Sequence, residues 1–255
     1  MSLSLFDLSG KTALITGSSA GIGHALARGL GQAGAKVIIN GRRPDWVEFA
    51  ANMLHEEEID AECSAFDVTD RAAVREAIND ISGRIGNIDI LINNAGIQRR
   101  VPLHEAEDET WDSVINTNLS SAFNVSRAVV PQMMDRRQGK IINICSLMSE
   151  LGRATTGPYA AAKGGLKMLT KAMCVDWANY GIQVNAIGPG YFKTELNQAL
   201  VEDAVFDGWL KQRTPAGRWG EMDELVGAAI FLSSAASNFV NGQVIYVDGG
   251  VLASL

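Results

Sequence analysis

The chain has 255 residues, of which 47% are hydrophobic and 20% are charged, and its formal net charge is -7. These values are typical of a globular protein, and the length allows a substantial buried core. The acidic balance, without a long run of Lys and Arg, argues against nucleic-acid binding as the main task.

The cysteines and histidines favour neither a disulfide framework nor a metal centre. The 3 cysteines are scattered and odd in number, which fits a reducing compartment, and the 3 histidines show no metal-ligand spacing. No apolar run approaches the roughly 18 residues of a membrane span, and the start MSLSLFDLSG has no signal-peptide pattern. We therefore expect a cytoplasmic protein with no membrane, nucleic-acid or metal partner.

Apolar runs alternate with helical patterns along the whole chain. The predicted strands are residues 12–16, 36–40, 61–66, 88–92, 140–145, 182–187 and 243–247. The predicted helices run from the first glycine loop to about 33, then 44–58, 71–84, 107–136, from about 157 to 180, and 222–234. This alternation predicts an α/β fold, a Rossmann-type doubly wound parallel sheet of seven strands with helices on both faces.

One domain over residues 1–255 is the simplest interpretation, because no linker, low-complexity tract or fixed-period repeat interrupts the alternation. Within it, residues from about 193 to 218 have mixed polarity and contain Trp209 and Trp219. We expect this segment to form an inserted helical lid over a substrate.

A glycine-rich loop follows the first strand and opens the first helix. Glycines let backbone N–H groups approach a phosphate, and a helix N-terminus favours negative charge. The spacing is G-x-x-x-G-x-G rather than the commoner G-x-G-x-x-G. The position between strand and helix predicts a dinucleotide site, with contacts from Gly17, Ser19, Gly21, Ile22 and Gly23.

The end of the second strand indicates which dinucleotide binds. An acid there would hold a ribose 2′-hydroxyl, whereas an arginine accommodates a 2′-phosphate. The chain has Gly41 at that position, followed by Arg42 and Arg43. We expect NADP rather than NAD, although the arginines could instead solvate a loop.

Small or polar residues also follow three other strands, on the side where open parallel sheets bind ligands. Asp67 and Val68 follow the third strand, where Asp67 could contact adenine or cap the next helix. The other two sets are Asn94, Ala95 and Gly96 after the fourth strand, and Pro189 and Gly190 after the sixth. All are expected to contact the cofactor.

A hydroxyl, a phenol and an amine follow the fifth strand. Ser146 comes at the strand end, and Tyr159 and Lys163 are spaced i and i+4, on one face of a helix. This arrangement is a plausible proton-transfer device, although Tyr-x-x-x-Lys also occurs by chance.

Taken together, these motifs resemble the short-chain dehydrogenase/reductase family over essentially the whole chain. The matching positions are Thr16-Gly17, Gly21-Ile22-Gly23, Asn93-Asn94-Ala95-Gly96, Asn118, Ser146, Tyr159, Lys163 and Pro189-Gly190. Each motif is modest alone, but their shared order and spacing make coincidence very unlikely.

The resemblance implies catalytic roles for Asn118, Ser146, Tyr159 and Lys163. Tyr159 would be the general acid/base, and we expect Lys163 and an oxidised nicotinamide to lower its pKa from about 10. Lys163 would also hold the nicotinamide ribose, and Ser146 the substrate oxygen. Asn118 would hold a water linked to Lys163, and Thr194 would contact the carboxamide. The family also implies a homotetramer, with helices 107–136 and 157–180 in one interface.

Several segments also resemble family members that act on gluconate, which implies interconversion of D-gluconate and 5-keto-D-gluconate. These segments are residues 94–100, 149–153, 190–195 and 199–203. Arg100, then Arg153, would bind the carboxylate, because a guanidinium suits a carboxylate bidentately. Glu150 would accept hydrogen bonds from sugar hydroxyls, and Gln98 and Tyr191 are weaker candidates.

Three alternatives remain open. A 3-oxoacyl-carrier-protein reductase would share the core motifs, but would need a basic patch for an acidic carrier. Another sugar or polyol dehydrogenase would share them too. A dinucleotide-binding protein without turnover is disfavoured, because the four catalytic positions are all filled.

Overall fold

A computed structural model describes residues 3–254, in which seven parallel strands form one sheet in the order β3-β2-β1-β4-β5-β6-β7. The strands are β1 (Thr12–Ile15), β2 (Lys36–Gly41), β3 (Ala61–Ala65), β4 (Ile90–Asn93), β5 (Gly139–Ile144), β6 (Ile182–Pro189) and β7 (Val244–Val247). The predicted fold class is therefore confirmed.

Helices cover both faces of this sheet. They are α1 (Gly21–Gln32), α2 (Pro44–Glu56), α3 (Arg71–Arg84), α4 (Asp108–Ile115), α5 (Ser121–Arg136), α6 (Gly157–Trp177), α7 (Gln198–Val201), α8 (Ala204–Arg213) and α9 (Val226–Ser233). Residues of α1, α2 and α9 pack in one core layer, and residues of α3, α5 and α6 pack in the other. None of the helices within residues 3–254 is long and apolar enough to cross a membrane.

Alternate side chains of the central strands enter opposite core layers. In β1, Ala13 and Ile15 pack with the first layer and Leu14 with the second. In β2, Val37 and Ile39 alternate with Ile38 in the same way. Because both sides of each strand are buried, these strands are apolar throughout rather than alternating with polar residues.

The largest departure from the predicted elements lies in the long helix expected over residues 107–136. It is divided into α4 and α5 by a π-helical segment, Asn116–Ser120. Hydrophobic periodicity does not reveal a single wider turn, although such turns are frequent at functional sites. The segment contains Asn118, one of the predicted catalytic residues.

β1 and β4 are hydrogen-bonded neighbours, and the order in which later strands are added changes direction between them. Crossovers from β1 lead away to β2 and β3, and crossovers from β4 lead the opposite way. In open α/β sheets, the carboxyl ends of strands at such a switch point form the ligand crevice. The glycine loop and Asn94 both lie at this point.

Residues 193–218 contain α7 and α8 and return to the sheet close to where they leave it. Lys193 N donates to Gly220 O over 3.1 Å, and Gly220 N donates to Tyr191 O over 2.9 Å. Leu200 and Leu210 of this segment form a small separate core with Trp219, which follows directly after it. The segment is thus a packed helical unit closed at its base.

Candidate active site

The glycine loop has a backbone that tolerates few side chains. Gly17 and Gly21 have φ angles of 62° and 60°, a region that other residues rarely adopt. A Cβ on Gly23 would lie 2.4 Å from Gly17 O and 2.5 Å from Asn94 Nδ2. Close approach of helix α1 to the loop therefore requires glycine at position 23.

Two asparagines fix this loop to the ends of neighbouring strands. Asn94 Nδ2 donates to Thr16 O and Gly17 O, each over 2.9 Å. Buried Asn40 accepts from Gly17 N over 3.1 Å and donates to the carbonyls of Ser64 and Phe66. Sequence reasoning missed Asn40, although a lone amide in the apolar run KVIIN was a signal for it.

The two arginines after β2 have different positions. Arg42 lines the cleft, together with Arg71 at the start of α3, which sequence reasoning did not select. Arg43 lies outside the cleft, where its guanidinium carbon is 3.6 Å from the ring centroid of Trp46. The side chain of Arg43 thus turns back onto α2, and its expected cofactor contact stays a prediction.

Asp67 lines the cleft and also organises its own turn. Its Oδ1 accepts from Thr69 N over 2.8 Å and from Thr69 Oγ1 over 2.7 Å. The N-cap of α3 is Asp70, which accepts from the backbone of Ala72 and Ala73. Capping of that helix by Asp67 is thus excluded, and its position remains compatible with adenine contact.

Ser146 lies in a tight turn after β5. It forms the N-cap of a short 3-10 turn, Leu147–Ser149, and its Oγ accepts from Met148 N over 3.2 Å. Ser146 N donates to Ser149 Oγ over 3.3 Å, and that hydroxyl donates to Lys163 O over 2.9 Å. The Ser149 hydroxyl therefore links the backbones of two predicted catalytic residues.

Tyr159 and Lys163 meet as the spacing predicted. Lys163 is 4% exposed, its Nζ lies 5.6 Å from the Tyr159 ring centroid, and it donates to Ile144 O over 2.5 Å. Burial lowers the pKa of Lys163 to about 8. Burial also raises the pKa of Tyr159, against a smaller lowering by a hydrogen bond with Ser146. The expected lowering of the Tyr159 pKa by Lys163 and an oxidised nicotinamide concerns the cofactor-bound protein and stays a prediction.

Asn118 uses its side chain to hold the loop that follows β4. Its Oδ1 accepts from Ile97 N and its Nδ2 donates to Ile97 O, each over 2.8 Å. A Cβ on Gly96 would lie 2.6 Å from Asn118 Oδ1, so glycine is needed for this close approach. Both amide groups of Asn118 are thus engaged with the backbone.

Arg100 and Arg153 face the same part of the cleft from different loops. Burial lowers the pKa of Arg100, and the positive charge of Arg153 lowers it further. Within residues 3–254 neither guanidinium forms an ion pair with a carboxylate. Two cations at one wall form a favourable site for an anion.

Glu150 does not line the cleft, and its expected contact with sugar hydroxyls stays a prediction. Its carboxylate pairs with Lys167 and accepts from Tyr246 Oη over 2.6 Å. These bonds lower the pKa of Glu150. The carboxylate therefore joins the end of the Ser146 turn to α6 and β7.

One cleft of about 950 Å³ joins these features. Its walls include most of the predicted site residues, namely Gly17, Ser19, Gly21, Ile22, Gly23, Arg42, Asp67, Val68, Asn94, Ala95, Gly96, Arg100, Ser146, Arg153, Tyr159, Lys163, Pro189, Gly190 and Thr194. Gln98 and Tyr191 also line it. The Oε1 atom of Gln98 is buried and has no hydrogen-bond partner among the described residues.

A parallel sheet with a glycine loop at its switch point and a Ser, Tyr and Lys set in the adjoining cleft defines a class of nicotinamide-dependent oxidoreductases. Residues 11–205 match the family described as short chain dehydrogenase, and the chain belongs to this family.

Two relatives and one crystal structure are similar to this chain over almost its whole length. The chain is 54% identical over 251 residues to the 5-keto-D-gluconate 5-reductase of Escherichia coli (strain K12), covering 98% of this chain and 99% of the relative. It is 51% identical to the 2-dehydro-3-deoxy-D-gluconate 5-dehydrogenase of Formosa agariphila, covering 100% and 97%. It is also similar to the crystal structure of a gluconate 5-dehydrogenase from Burkholderia cenocepacia J2315 in complex with NADP and tartrate. That likeness has 56% identity, a TM-score of 0.97 and 99% coverage of each chain.

Proposed function

We propose that this protein is an NADP-dependent oxidoreductase of carbohydrate metabolism that interconverts D-gluconate and 5-keto-D-gluconate. The observation that supports this most directly is the meeting of Ser146, Tyr159 and Lys163 with Arg100 and Arg153 in one cleft. The first set suits oxidation and reduction of a secondary alcohol, and the arginines suit a carboxylate on the same molecule. The names of the similar proteins agree with both halves of this proposal.

The cleft fits a dinucleotide. Gly17, Gly21 and Gly23 line the cleft without a side chain beside the N-terminus of α1, which would let a pyrophosphate approach the backbone. Arg42 lines the cleft and would accommodate the 2′-phosphate of NADP, and Gly41 brings no carboxylate against it. Asp67 and Val68 would border the adenine, and Asn94, Pro189, Gly190 and Thr194 would border the nicotinamide half. When bound, the cofactor accepts or supplies the hydride.

Tyr159 would exchange the proton of the reacting hydroxyl. In gluconate oxidation its phenolate takes that proton, and in the reverse direction its phenol returns it. The positive charges of Lys163 and of an oxidised nicotinamide would both oppose the effect of burial on the Tyr159 pKa. Ser146 would donate its hydroxyl hydrogen to the substrate oxygen as negative charge develops there.

Lys163 would pass the proton onward. Its pKa of about 8 allows it to gain and lose a proton near neutral pH. The side-chain amide of Asn118 is occupied by the backbone of Ile97. The main-chain carbonyl of Asn118 would therefore hold the water that is linked to Lys163. The Ser149 hydroxyl would keep Lys163 and Ser146 in a fixed relation.

Arg100 and Arg153 would bind the carboxylate at the end of the sugar acid opposite the reacting carbon. Residues 193–218 would act as a substrate lid within the single domain 1–255, because α8 lies against Arg153 through Phe206. Gln98 and Tyr191 would complete the wall, with the free Oε1 of Gln98 available to a hydroxyl donor.

A second candidate substrate is 2-dehydro-3-deoxy-D-gluconate, because a relative with 51% identity has that specificity in its name. It shares with gluconate a carboxylate and a reacting oxygen at carbon 5. A 3-oxoacyl-carrier-protein reductase is disfavoured, since the net charge of -7 suits an acidic carrier poorly. The complete catalytic set likewise disfavours a binding protein without turnover.

Rates of NADPH formation would test the proposal with purified protein and NADP⁺. We expect oxidation of D-gluconate, and reduction of 5-keto-D-gluconate by NADPH. Parallel reactions would contain NAD⁺, 2-dehydro-3-deoxy-D-gluconate and, in the reducing direction, a 3-oxoacyl thioester. Brisk thioester reduction without gluconate oxidation would overturn the proposal.

We also propose a cytoplasmic homotetramer. Exposed apolar side chains on α4, α5 and α6 support an interface along these helices, namely Trp111, Phe123, Met168 and Val175. Free thiols at Cys63, Cys145 and Cys174 are compatible with the reducing compartment that this proposal assumes. Light scattering after size exclusion would measure the oligomer, and cell fractionation would locate the protein.

A further inference from the structure

The arginine from the loop before α6 lies against an aromatic ring of the lid segment, residues 193–218. The guanidinium carbon of Arg153 is 4.4 Å from the ring centroid of Phe206 in α8. Arg153 lines the cleft, whereas Phe206 does not. A guanidinium over the face of a ring is attracted by the ring's negative π surface.

The Phe206 ring is itself held by three other aromatic side chains. Its centroid is 5.6 Å from that of Tyr191, 5.1 Å from Trp209 and 6.0 Å from Trp219. Trp219 is 3% exposed, and its Nε1 donates to Asp207 Oδ1 over 2.9 Å. The ring therefore offers a fixed surface rather than a mobile one.

An aromatic face holds a guanidinium without using its hydrogen-bond donors. Arginine has five N–H donors in a planar fork that matches a carboxylate. A carboxylate partner within the protein would occupy that fork, but among the described residues Arg153 has no such partner. Repulsion from Arg100 would push the group away unless something attractive lies on the other side.

We propose that Phe206 is a positioning residue that holds Arg153 in the cleft with its donors free, and so sets the preference for a sugar acid over a neutral polyol. The inference rests on the proposed function, since it assumes that the substrate has a carboxylate. Phe206 acts through Arg153 and has no contact with the reacting carbon.

The experiment compares Phe206→Leu, Phe206→Tyr and the wild type with D-gluconate and with neutral D-gluconamide. Phe206→Leu removes the cation–π contact with Arg153. We expect this loss to raise the KM for gluconate about 3- to 30-fold. We expect kcat, the KM for NADP⁺ and the KM for gluconamide to change less than about 3-fold. Phe206→Tyr keeps an aromatic face and should restore the gluconate KM.

Leu200→Ala is the matched control, because it removes a buried side chain of the lid core that is not one of the rings around Phe206. An equal rise in KM for this control would overturn the inference, since lid packing alone would then explain the effect. An unchanged gluconate KM in Phe206→Leu, an equal loss with gluconamide, or failure of Phe206→Tyr to restore it would overturn it too.

Calorimetric titration of each NADP⁺-saturated variant with D-gluconate and with tartrate separates this inference from the proposed function. A wild type that binds tartrate but does not oxidise gluconate would contradict the proposed function alone. Weaker tartrate binding by Phe206→Leu would still support the role of Phe206. Absence of binding of either carboxylate to the wild type would overturn the inference.

Discussion

Asn118 joins the π-helical segment to the loop after β4, and its replacement by alanine has a cost that follows from its contacts. The side chain is 1% exposed and makes two hydrogen bonds of 2.8 Å with the backbone of Ile97. Asn118→Ala leaves the N–H and C=O of Ile97 without those partners. Each buried group left unsatisfied costs about 1–3 kcal/mol.

Ile97 is half-buried, so water can replace part of what is lost, and we expect a total destabilisation of about 2–4 kcal/mol. For a chain of this size, that loss lowers the melting temperature by roughly 4–16 °C. Binding of NADP⁺ should weaken as well, because the loop containing Asn94 and Gly96 forms a wall of the cofactor cleft.

Thermal unfolding followed by circular dichroism, at equal protein concentration and without cofactor, measures the effect. Asn118→Asp keeps the acceptor for Ile97 N and removes the donor to Ile97 O, so its melting temperature should also fall. Asn124→Ala is the matched control, since this buried asparagine on α5 has an amide oxygen without a partner among residues 3–254. A melting temperature of Asn118→Ala no lower than that of Asn124→Ala would refute the reasoning.

Three other predictions follow from the cleft and the core. Arg42→Ala should weaken NADP⁺ binding by about 10- to 100-fold and NAD⁺ binding little, whereas Arg43→Ala should change neither beyond about 3-fold; equal losses for both cofactors would remove the phosphate role. Gly23→Ala should cost about 1–3 kcal/mol, seen in melting temperature and in NADP⁺ affinity, because its Cβ would meet Gly17 O at 2.4 Å. Burial lowers the pKa of Lys140 from 10.5 to about 8. Between pH 8 and pH 10.5 the unfolded chain therefore binds more protons than the folded chain does. Burial of the charged Lys140 lowers the free energy of unfolding, fully below pH 8 and progressively less toward pH 10.5. The stability of Lys140→Met relative to the wild type should thus fall with rising pH in melting curves; a rising difference would contradict this.

The sheet and the meeting of Tyr159 with Lys163 could be predicted from the sequence, because each depends on a short-range pattern. Apolar runs marked the seven strands, of which the five central ones are largely buried on both faces. The i and i+4 spacing of Tyr159 and Lys163 put both on one face of α6. The glycine loop was recognisable because backbone conformations with positive φ select glycine at Gly17 and Gly21.

Side-chain direction in loops was less predictable. Arg42 and Arg43 are neighbours, yet one lines the cleft and the other stacks on Trp46. Glu150 follows the Ser146 turn but pairs with Lys167, seventeen residues away. Such choices depend on partners brought together only by the tertiary fold, which the local sequence does not specify.

The pKa of Tyr159 shows the same limit. An adjacent lysine predicts a lowered pKa for Tyr159. Burial instead raises the pKa of Tyr159 and lowers the pKa of Lys163, because it favours the neutral form of both groups. The π-helical turn at Asn118 was also hidden, since one wider turn leaves the apolar periodicity of the flanking helices almost unchanged.

Oxidation of D-gluconate labelled with deuterium at carbon 5 tests the central proposal most directly. The proposal predicts that the deuterium appears in NADPH, that the product is 5-keto-D-gluconate, and that Tyr159→Phe abolishes the transfer. Label retained in an oxidised product would show reaction at another carbon, and unlabelled NADPH would contradict the account.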